Sequence, residues 1–399
     1  MRPFDGRRVL LVVSGGIAAY KSAILVRGLR RAGAQVDVVL TRSGKRFVGA
    51  ATFEALSGRP VHLNLWERSL AHIELGREAD LAVVAPATAD ILARMAHGLA
   101  DDMATATLLA TACPLLVCPA MNVRMWEHPA TQANRRTLGE YGVHFAGPEE
   151  GELAEGEIGE GRMIEPEAIL AEIGRLLERP SRLAGRTVVV TAGPTRAEID
   201  PVRFLGNRSS GRMGYELAAS AWRRGADTVL ITGPGSVPTP YGPRVVPVEE
   251  SEAMLVALRR ELEAASVLLM AAAVADFGPA EHRPSKIKKE GTGRMELHLV
   301  RGPDLLTETR ELRERRGVFT LGFALETEDA VANARRKLES KGMDLVAVNQ
   351  AEGEESAFDS PTNRVTLVGR SGEIEEFPLL PKSEVADRLL DRVEERIGG

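Results

Sequence analysis

Cysteine is nearly absent from this 399-residue chain: there are two, Cys113 and Cys118. Two thiols five positions apart cannot build a disulfide framework, and they lack the further ligands of a zinc site. A reducing cytoplasm is therefore the expected setting. Excess positive charge is missing too. The formal net charge of -5 leaves no broad basic field for DNA or RNA, so nucleic acid is not an expected partner. Nor does any apolar run reach the roughly 18 residues of a membrane span, and the opening residues Met1 to Arg8 lead into a strand rather than a signal peptide.

What is present suits two ordinary cores. The chain is 44% hydrophobic and 27% charged, and a single core rarely grows past about 250 to 300 residues. Short β-branched runs at Val9–Val13, Val36–Leu40, Leu81–Ala85 and Leu115–Val117 alternate with helical stretches, which predicts βαβ units on a parallel sheet. Gly151 to Gly161, rich in Gly and Glu, reads as a mobile loop. A helix over 165–178 precedes Arg179-Pro180-Ser181, where the linker is placed. The pattern then restarts at Gly185, with strands expected at 187–191, 228–232, 267–271, 318–323 and 345–348, a hairpin near 364–377 and a closing helix from Lys382. The expected fold class is α/β: two doubly wound, Rossmann-like, mostly parallel-sheet domains in tandem, residues 1–180 and 181–399.

In the first domain, Ser14-Gly15-Gly16-Ile17 lies between a strand and a helix, where missing Cβ atoms let backbone N–H groups approach a phosphate. A plain tight turn reads equally well, because the three-glycine dinucleotide fingerprint is lacking. Ser43 could add a hydroxyl, or be an ordinary loop residue. Further along come His72-Ile73-Glu74-Leu75, the run Asp80 to Asp90 with Ala85 and Thr88, Gly98 to Thr107 with Thr105 and Thr107, and Pro119-Ala120-Met121-Asn122-Val123-Arg124-Met125-Trp126. Over residues 8 to 165 this arrangement resembles the homo-oligomeric flavin-containing cysteine decarboxylases, in particular the phosphopantothenoylcysteine decarboxylases.

That resemblance implies a bound FMN, held by Gly15, Gly16, Ile17, Ser43, Ala85, Thr88, Thr105 and Thr107. Flavin would draw two electrons from a cysteinyl thiol, after which CO₂ leaves readily, the hard chemistry belonging to the cofactor. His72 matches the family's histidine, a base near the thiol. Asn122 matches the asparagine that holds the substrate carboxylate, with Met121, Met125, Arg162 and Met163 around the substrate. One position departs: Glu155 stands where the family's flap carries a proton-donating cysteine. Three readings stay open: Glu155 is the acid, Cys118 has taken over, or the reaction ends at the enethiol.

In the second domain, hydroxyl and arginine residues from Asp200 to Gly214 precede a helical pattern and make a phosphate cradle or a polar loop. The run Asn207-Arg208-Ser209-Ser210-Gly211-Arg212-Met213-Gly214 is similar to the hallmark of phosphopantothenate–cysteine ligases. Ala272 to Phe277, Lys286 to Lys289, Pro303 to Leu306, Gly322 to Glu326, and Lys337 with Lys341 continue it in order, so that it covers about 185 to 395. The ligase resemblance implies that CTP, with Mg²⁺ whose ligands are unknown, activates 4′-phosphopantothenate as an acyl-cytidylate for attack by cysteine. It gives Lys286 the reacting phosphate, Lys337 and Lys341 the triphosphate tail, and Asn207 the acyl intermediate. Arg203 would take the phosphopantothenate phosphate. Met270, Ala271, Ala272, Asp276 and Phe323 would surround the nucleotide, with Pro303, Asp304, Leu305 and Leu306 beside it.

The two resemblances together imply consecutive steps of coenzyme A biosynthesis, cytoplasmic, in a homo-oligomer of decarboxylase trimers and ligase dimers, a dodecamer. Two rival readings differ in class. In one, only the ligase works and the first domain is a flavin-binding scaffold or a decarboxylase stalled at the enethiol. The other, a nicotinamide-dependent reductase, lacks the glycine loop and an acidic residue placed for the ribose.

Overall fold

The computed structural model describes residues 2–153, 156–288, 295–326, 330–350 and 360–397. Glu155 and Lys289 lie outside the described residues. The chain divides into two compact units, Met1–Arg179 and Pro180–Gly399.

The first unit runs β1 (Arg8–Val13), α1 (Ala19–Ala32), β2 (Gln35–Leu40), α2 (Ala50–Ser57), β3 (Val61–His62), α3 (Ala71–Glu78), β4 (Leu81–Ala87) and α4 (Ala89–Ala96). It continues with α5 (Met103–Leu109), β5 (Leu115–Pro119), α6 (Val123–Glu127), α7 (Pro129–Glu140), β6 (His144–Phe145), β7 (Glu149–Glu152), β8 (Ile158–Arg162) and α8 (Pro166–Leu177). Among the described residues its main sheet is parallel, in the order β3-β2-β1-β4-β5-β6. Both faces are covered, so the central strands need apolar residues at every position rather than in alternation; β4 is buried throughout. Leu11, Leu25, Leu29 and Ile169 pack on one face, and Leu10, Val84, Leu92 and Trp126 on the other. Each such fully buried aliphatic contributes roughly 1.5 to 3 kcal/mol.

The stretch read as a mobile loop is instead an antiparallel hairpin: β7 pairs with β8, Glu150 opposite Glu160 and Gly151 opposite Gly159. Strand pairing uses backbone groups and needs no apolar face, which is why composition misjudged it. Met121 N–H donates to the Gly161 carbonyl at 3.0 Å, fastening the hairpin to the loop before α6.

The second unit begins with β9 (Thr187–Ala192), β10 (Arg196–Asp200), β11 (Arg203–Gly206), α9 (Arg212–Arg223), β12 (Asp227–Thr232), β13 (Arg244–Pro247), α10 (Ser251–Leu262) and β14 (Val267–Met270). There follow β15 (Phe277–Pro279), β16 (Leu299–Arg301), α11 (Leu305–Glu308), α12 (Arg310–Arg316), β17 (Phe319–Glu326), α13 (Ala330–Lys341) and β18 (Leu345–Gln350). The last elements are β19 (Thr362–Gly369), β20 (Ile374–Pro381) and α14 (Lys382–Arg396). The main sheet, in the order β13-β12-β9-β14-β17-β18-β19-β20, is parallel as far as β18 and antiparallel at β19 and β20. The first part of the expected cradle, Asp200 to Gly206, belongs to a hairpin of β10 with β11, its turn tied by Asp200.

Both sheets reverse direction beside their first strand, between β1 and β4 and between β9 and β14. In open α/β sheets the crevice at such a switch point, outside the carboxyl ends of the strands, is where ligands bind. Close packing there needs glycine. A Cβ on Gly214 would stand 2.5 Å from the Ala192 Cβ, so α9 could not lie against β9.

Candidate functional sites

At the first switch point, the Ser14 hydroxyl donates to the Pro86 carbonyl at 2.7 Å and lies 3.4 Å from the Thr88 hydroxyl, which locks the loop after β1 to the end of β4. A Cβ on Gly15 would fall 2.4 Å from that of Ser43, while Gly16 faces Pro86 and Thr88 across a gap that its own missing side chain leaves. No side chain caps the start of α1. Gly15 and Gly16, with Ser43 and Thr88 close beside them and Ile17 following, thus lie together just before the start of α1.

The other residues expected around a flavin are placed differently. Ala85 is fully buried in the sheet core. Thr105 completes a capping box with Asp102, its N–H donating to the Asp102 carboxylate at 2.8 Å and its hydroxyl at 2.9 Å. The Thr107 hydroxyl donates to the Met103 carbonyl at 2.6 Å. Both hydroxyls serve α5 itself. Met163 is 1% exposed and packs in the core, its carbonyl accepting from Lys21 Nζ at 2.8 Å, so its side chain belongs to the fold and not to a substrate wall. Cys118 is likewise fully buried among core residues, and burial pushes its thiol far above the ordinary range; it is not a proton donor to a bound molecule.

His72 is the second residue of α3, whose N-cap Leu70 has a φ of 63°, in the left-handed region that β-carbon-bearing residues avoid. The His72 Nδ1 is buried and, among the described residues, has no hydrogen-bond partner. Asn122 caps α6, accepting from Arg124 N–H at 2.8 Å, and its amide donates to the Glu157 carboxylate at 2.9 Å. Arg124 stands 3.7 Å from the other oxygen of Glu157, and Trp126 Nε1 donates to Glu160 at 3.2 Å. The hairpin is therefore latched onto α6 by two carboxylates. Met121 is half-buried and Met125 exposed beside this latch, and Arg162 pairs with Glu165.

In the second unit a cavity of about 880 Å³ opens at the switch point. Asn207, Met270, Ala271, Ala272, Asp276, Pro303, Asp304, Leu305, Leu306, Phe323, Lys337 and Lys341 all line it. The Asn207 amide donates to the Val274 carbonyl at 2.8 Å, joining the loop before α9 to the segment after β14. Asp304 caps α11 and pairs with Lys341, whose Nζ also donates to the Thr307 hydroxyl at 3.0 Å. Burial and the nearby Arg301 charge, against the pull of Asp276, hold the Lys341 ammonium below the usual lysine range.

Arg203 and Lys286 are not part of that lining. Arg203 is on the hairpin arm, and Lys286 precedes Ile287, which the hairpin holds: Asp200 accepts from the N–H groups of Val202, Arg203 and Ile287, and Arg203 donates to Asp200 and to the Ile287 carbonyl. Burial opposes ionisation of Asp200, but those N–H donors and the Arg203 charge outweigh it and hold the carboxyl below its usual range. Motif reading passed over Arg301, Asn349, Asn363 and Lys382, which also line the cavity. Arg212 Nε, Asn349 Oδ1 and Asn363 Nδ2 are buried there and have no hydrogen-bond partner among the described residues, a donor and acceptor set suited to a polar ligand.

Residues 2–178 match the Flavoprotein family and residues 183–397 match the DNA/pantothenate metabolism flavoprotein C-terminal domain. The chain is 41% identical to the coenzyme A biosynthesis bifunctional protein CoaBC of Vibrio vulnificus over 403 residues, covering 100% of both. With the protein of the same description from Mycobacterium tuberculosis it shares 45% over 402 residues, 97% of this chain and 96% of the other. Among solved structures, the C-terminal domain of a CoaBC protein overlays with a TM-score of 0.47 at 33% identity, covering 54% of this chain and 97% of that one.

Proposed function

This chain belongs to the family of coenzyme A biosynthesis bifunctional proteins, a decarboxylase joined to a ligase, and on that premise we propose how its own residues divide the two steps. Ligation comes first, in residues 181–399. The roughly 880 Å³ cavity would take the nucleotide, CTP, with Met270 to Ala272, Asp276 and Phe323 about base and sugar and Lys337 and Lys341 on the triphosphate. Two anions, a carboxylate and a triphosphate, must meet for the acyl-cytidylate of 4′-phosphopantothenate to form, and cations placed beforehand lower that barrier. Asn207 would orient the acyl group for attack by cysteine. Arg203, on the hairpin, and Lys286, next to the Ile287 that the hairpin holds, would attend the phosphopantothenate phosphate and the reacting phosphate. Among the described residues no three carboxylate, His or Cys side chains gather to hold a metal, so Mg²⁺ would arrive on the triphosphate.

Decarboxylation follows in residues 1–180. The Gly15-Gly16 cradle at the α1 start would hold the phosphate of FMN, which supplies two-electron oxidation of the thiol when bound. His72 would take the thiol proton, its buried and unpartnered ring nitrogen marking a place that a ligand completes. Asn122 would hold the substrate carboxylate, the product being 4′-phosphopantetheine. Glu155, at the family's cysteine position, would return the final proton. The protein would work in the cytoplasm as a homo-oligomer of decarboxylase trimers and ligase dimers, and an exposed apolar row on and before α1, Ile17, Tyr20 and Ile24, supports self-association. Among the described residues no helix is long and apolar enough to cross a membrane.

The observation that carries the reading is the convergence of twelve side chains on one cavity, together with the orphaned His72 nitrogen. Incubating the purified protein with 4′-phosphopantothenate, cysteine and CTP and weighing the product tests it. Phosphopantetheine is expected; accumulation of the uncleaved conjugate alone would remove the decarboxylase half, and formation of neither conjugate nor phosphopantetheine would remove the ligase half.

A further inference from the structure

Arg313, on α12, is 1% exposed, and all five of its N–H groups have acceptors. Nε donates to the Thr309 hydroxyl at 3.3 Å; one terminal nitrogen reaches the Thr320 hydroxyl at 3.1 Å and the Gly342 carbonyl at 2.8 Å. The other terminal nitrogen donates to the carbonyls of Leu306 at 2.8 Å and Lys341 at 2.7 Å. Every one of these acceptors is neutral. Burying the guanidinium is costly even with the carboxylates of Asp344 and Glu314 near enough to favour its charge, and an apolar side chain could fill the same volume. What the apolar chain cannot do is fix separate backbone segments through a rigid planar fork.

The segments that Arg313 joins both face the cavity. Leu306 belongs to the turn that begins with Asp304, and Lys341 ends the helix that also carries Lys337. On the cavity side Lys341 Nζ grips Asp304 and Thr307, so the buried fork and the surface pair hold one junction from opposite sides. The guanidinium also meets the negative end of α13, where a cation is favoured. We infer that Arg313 is a positioning residue of the ligation step: touching no ligand, it sets the spacing between the α13 lysines and the Asp304 turn, and thereby the affinity for the nucleotide triphosphate. This rests on the reading of the cavity as the nucleotide site.

The test uses the full chain with Arg313→Met, Arg313→Lys and Thr320→Val, measuring initial ligation rates against CTP, cysteine and phosphopantothenate together with the melting temperature. A residue that matters only for stability lowers the folded fraction, which reduces kcat and leaves each KM in place. Positioning instead raises the CTP KM of Arg313→Met tenfold or more, with the cysteine KM within twofold, and Arg313→Lys falls between, its ammonium reaching some of the same carbonyls. Should Arg313→Met fail to fold, Thr320→Val removes a single acceptor and is expected to raise the CTP KM two- to threefold at nearly unchanged melting. An unchanged CTP KM in the folded variants, or an equal rise in all three KM values, overturns the inference. A wild-type chain that consumes no CTP refutes the nucleotide reading itself, a failure distinguishable from the first.

Discussion

The amide of Asn122 is held by a carboxylate from its own chain: Glu157 on the β7–β8 hairpin accepts from it at 2.9 Å, with Arg124 at 3.7 Å from the second oxygen. In the proposed function a substrate carboxylate would meet the same donors and would have to displace Glu157 first. Glu157→Gln keeps the shape but removes the charge, weakening the contact by about 1 to 1.5 kcal/mol. The KM for phosphopantothenoylcysteine is therefore expected to fall five- to tenfold in steady-state CO₂ release. An unaltered KM would show that Glu157 does not compete.

Replacing His72 by Asn separates the two activities. Loss of a positioned base lowers a rate roughly 10²- to 10⁴-fold. CO₂ release is expected to drop by that factor while CTP-dependent conjugate formation, measured in the same tube, stays within twofold. Equal losses in both assays would point to a folding defect.

The alkaline limb of the ligation profile should report Lys341. Its pKa is lowered by burial and Arg301, so the ammonium proposed to attract triphosphate loses its proton at a lower pH than a solvated lysine would. Affinity for CTP is present on the acidic side and declines as pH rises, and the Lys341→Met variant should show a weaker but flatter dependence. Titrating the CTP KM from neutral pH upward in both proteins checks this.

Asp200 makes a stability prediction of opposite sign. Its carboxyl pKa is depressed in the folded chain, so its contribution is full above the unfolded value of about 4 and disappears as pH falls through the folded one. Asp200→Asn is expected to melt lower than wild type near neutral pH, with the gap closing in acid. Melting curves at several pH values decide it; a gap independent of pH would mean that charge is not what the arm requires.

Arg224 is 7% exposed and bonds Asp391 at 2.8 Å and Glu394 at 2.6 Å, pinning α9 to α14. Arg224→Ala leaves the half-buried carboxylates of Asp391 and Glu394 without this partner, at a cost of about 1.5 to 3 kcal/mol. Denaturant titration monitored on the second unit should show it.

Much of this architecture could be read along the chain because both sheets are covered on two faces, which forces apolar runs through central strands such as β1, β4 and β14. The cavity residues of the second unit were legible where they sit in short glycine-bearing segments. Other placements depend on strand direction and neighbours that local sequence does not encode. Arg162 and Met163 adjoin in one motif, yet at the end of β8 they face opposite ways, one to solvent and one into the core. Asn349 and Asn363 meet at the cavity only because β18 and β19 pair, and each alone is an unremarked polar residue at a strand end. The β7–β8 hairpin was missed because backbone pairing leaves no mark on composition.

Leu70 has a practical consequence for anyone seeking a heat-resistant form of this protein. Its left-handed backbone makes it an obvious candidate for exchange to glycine, which accepts that geometry without steric conflict. The exchange would also loosen the hinge from which His72 projects, so a screen scored by survival after heating would reward a protein whose aim had been lost.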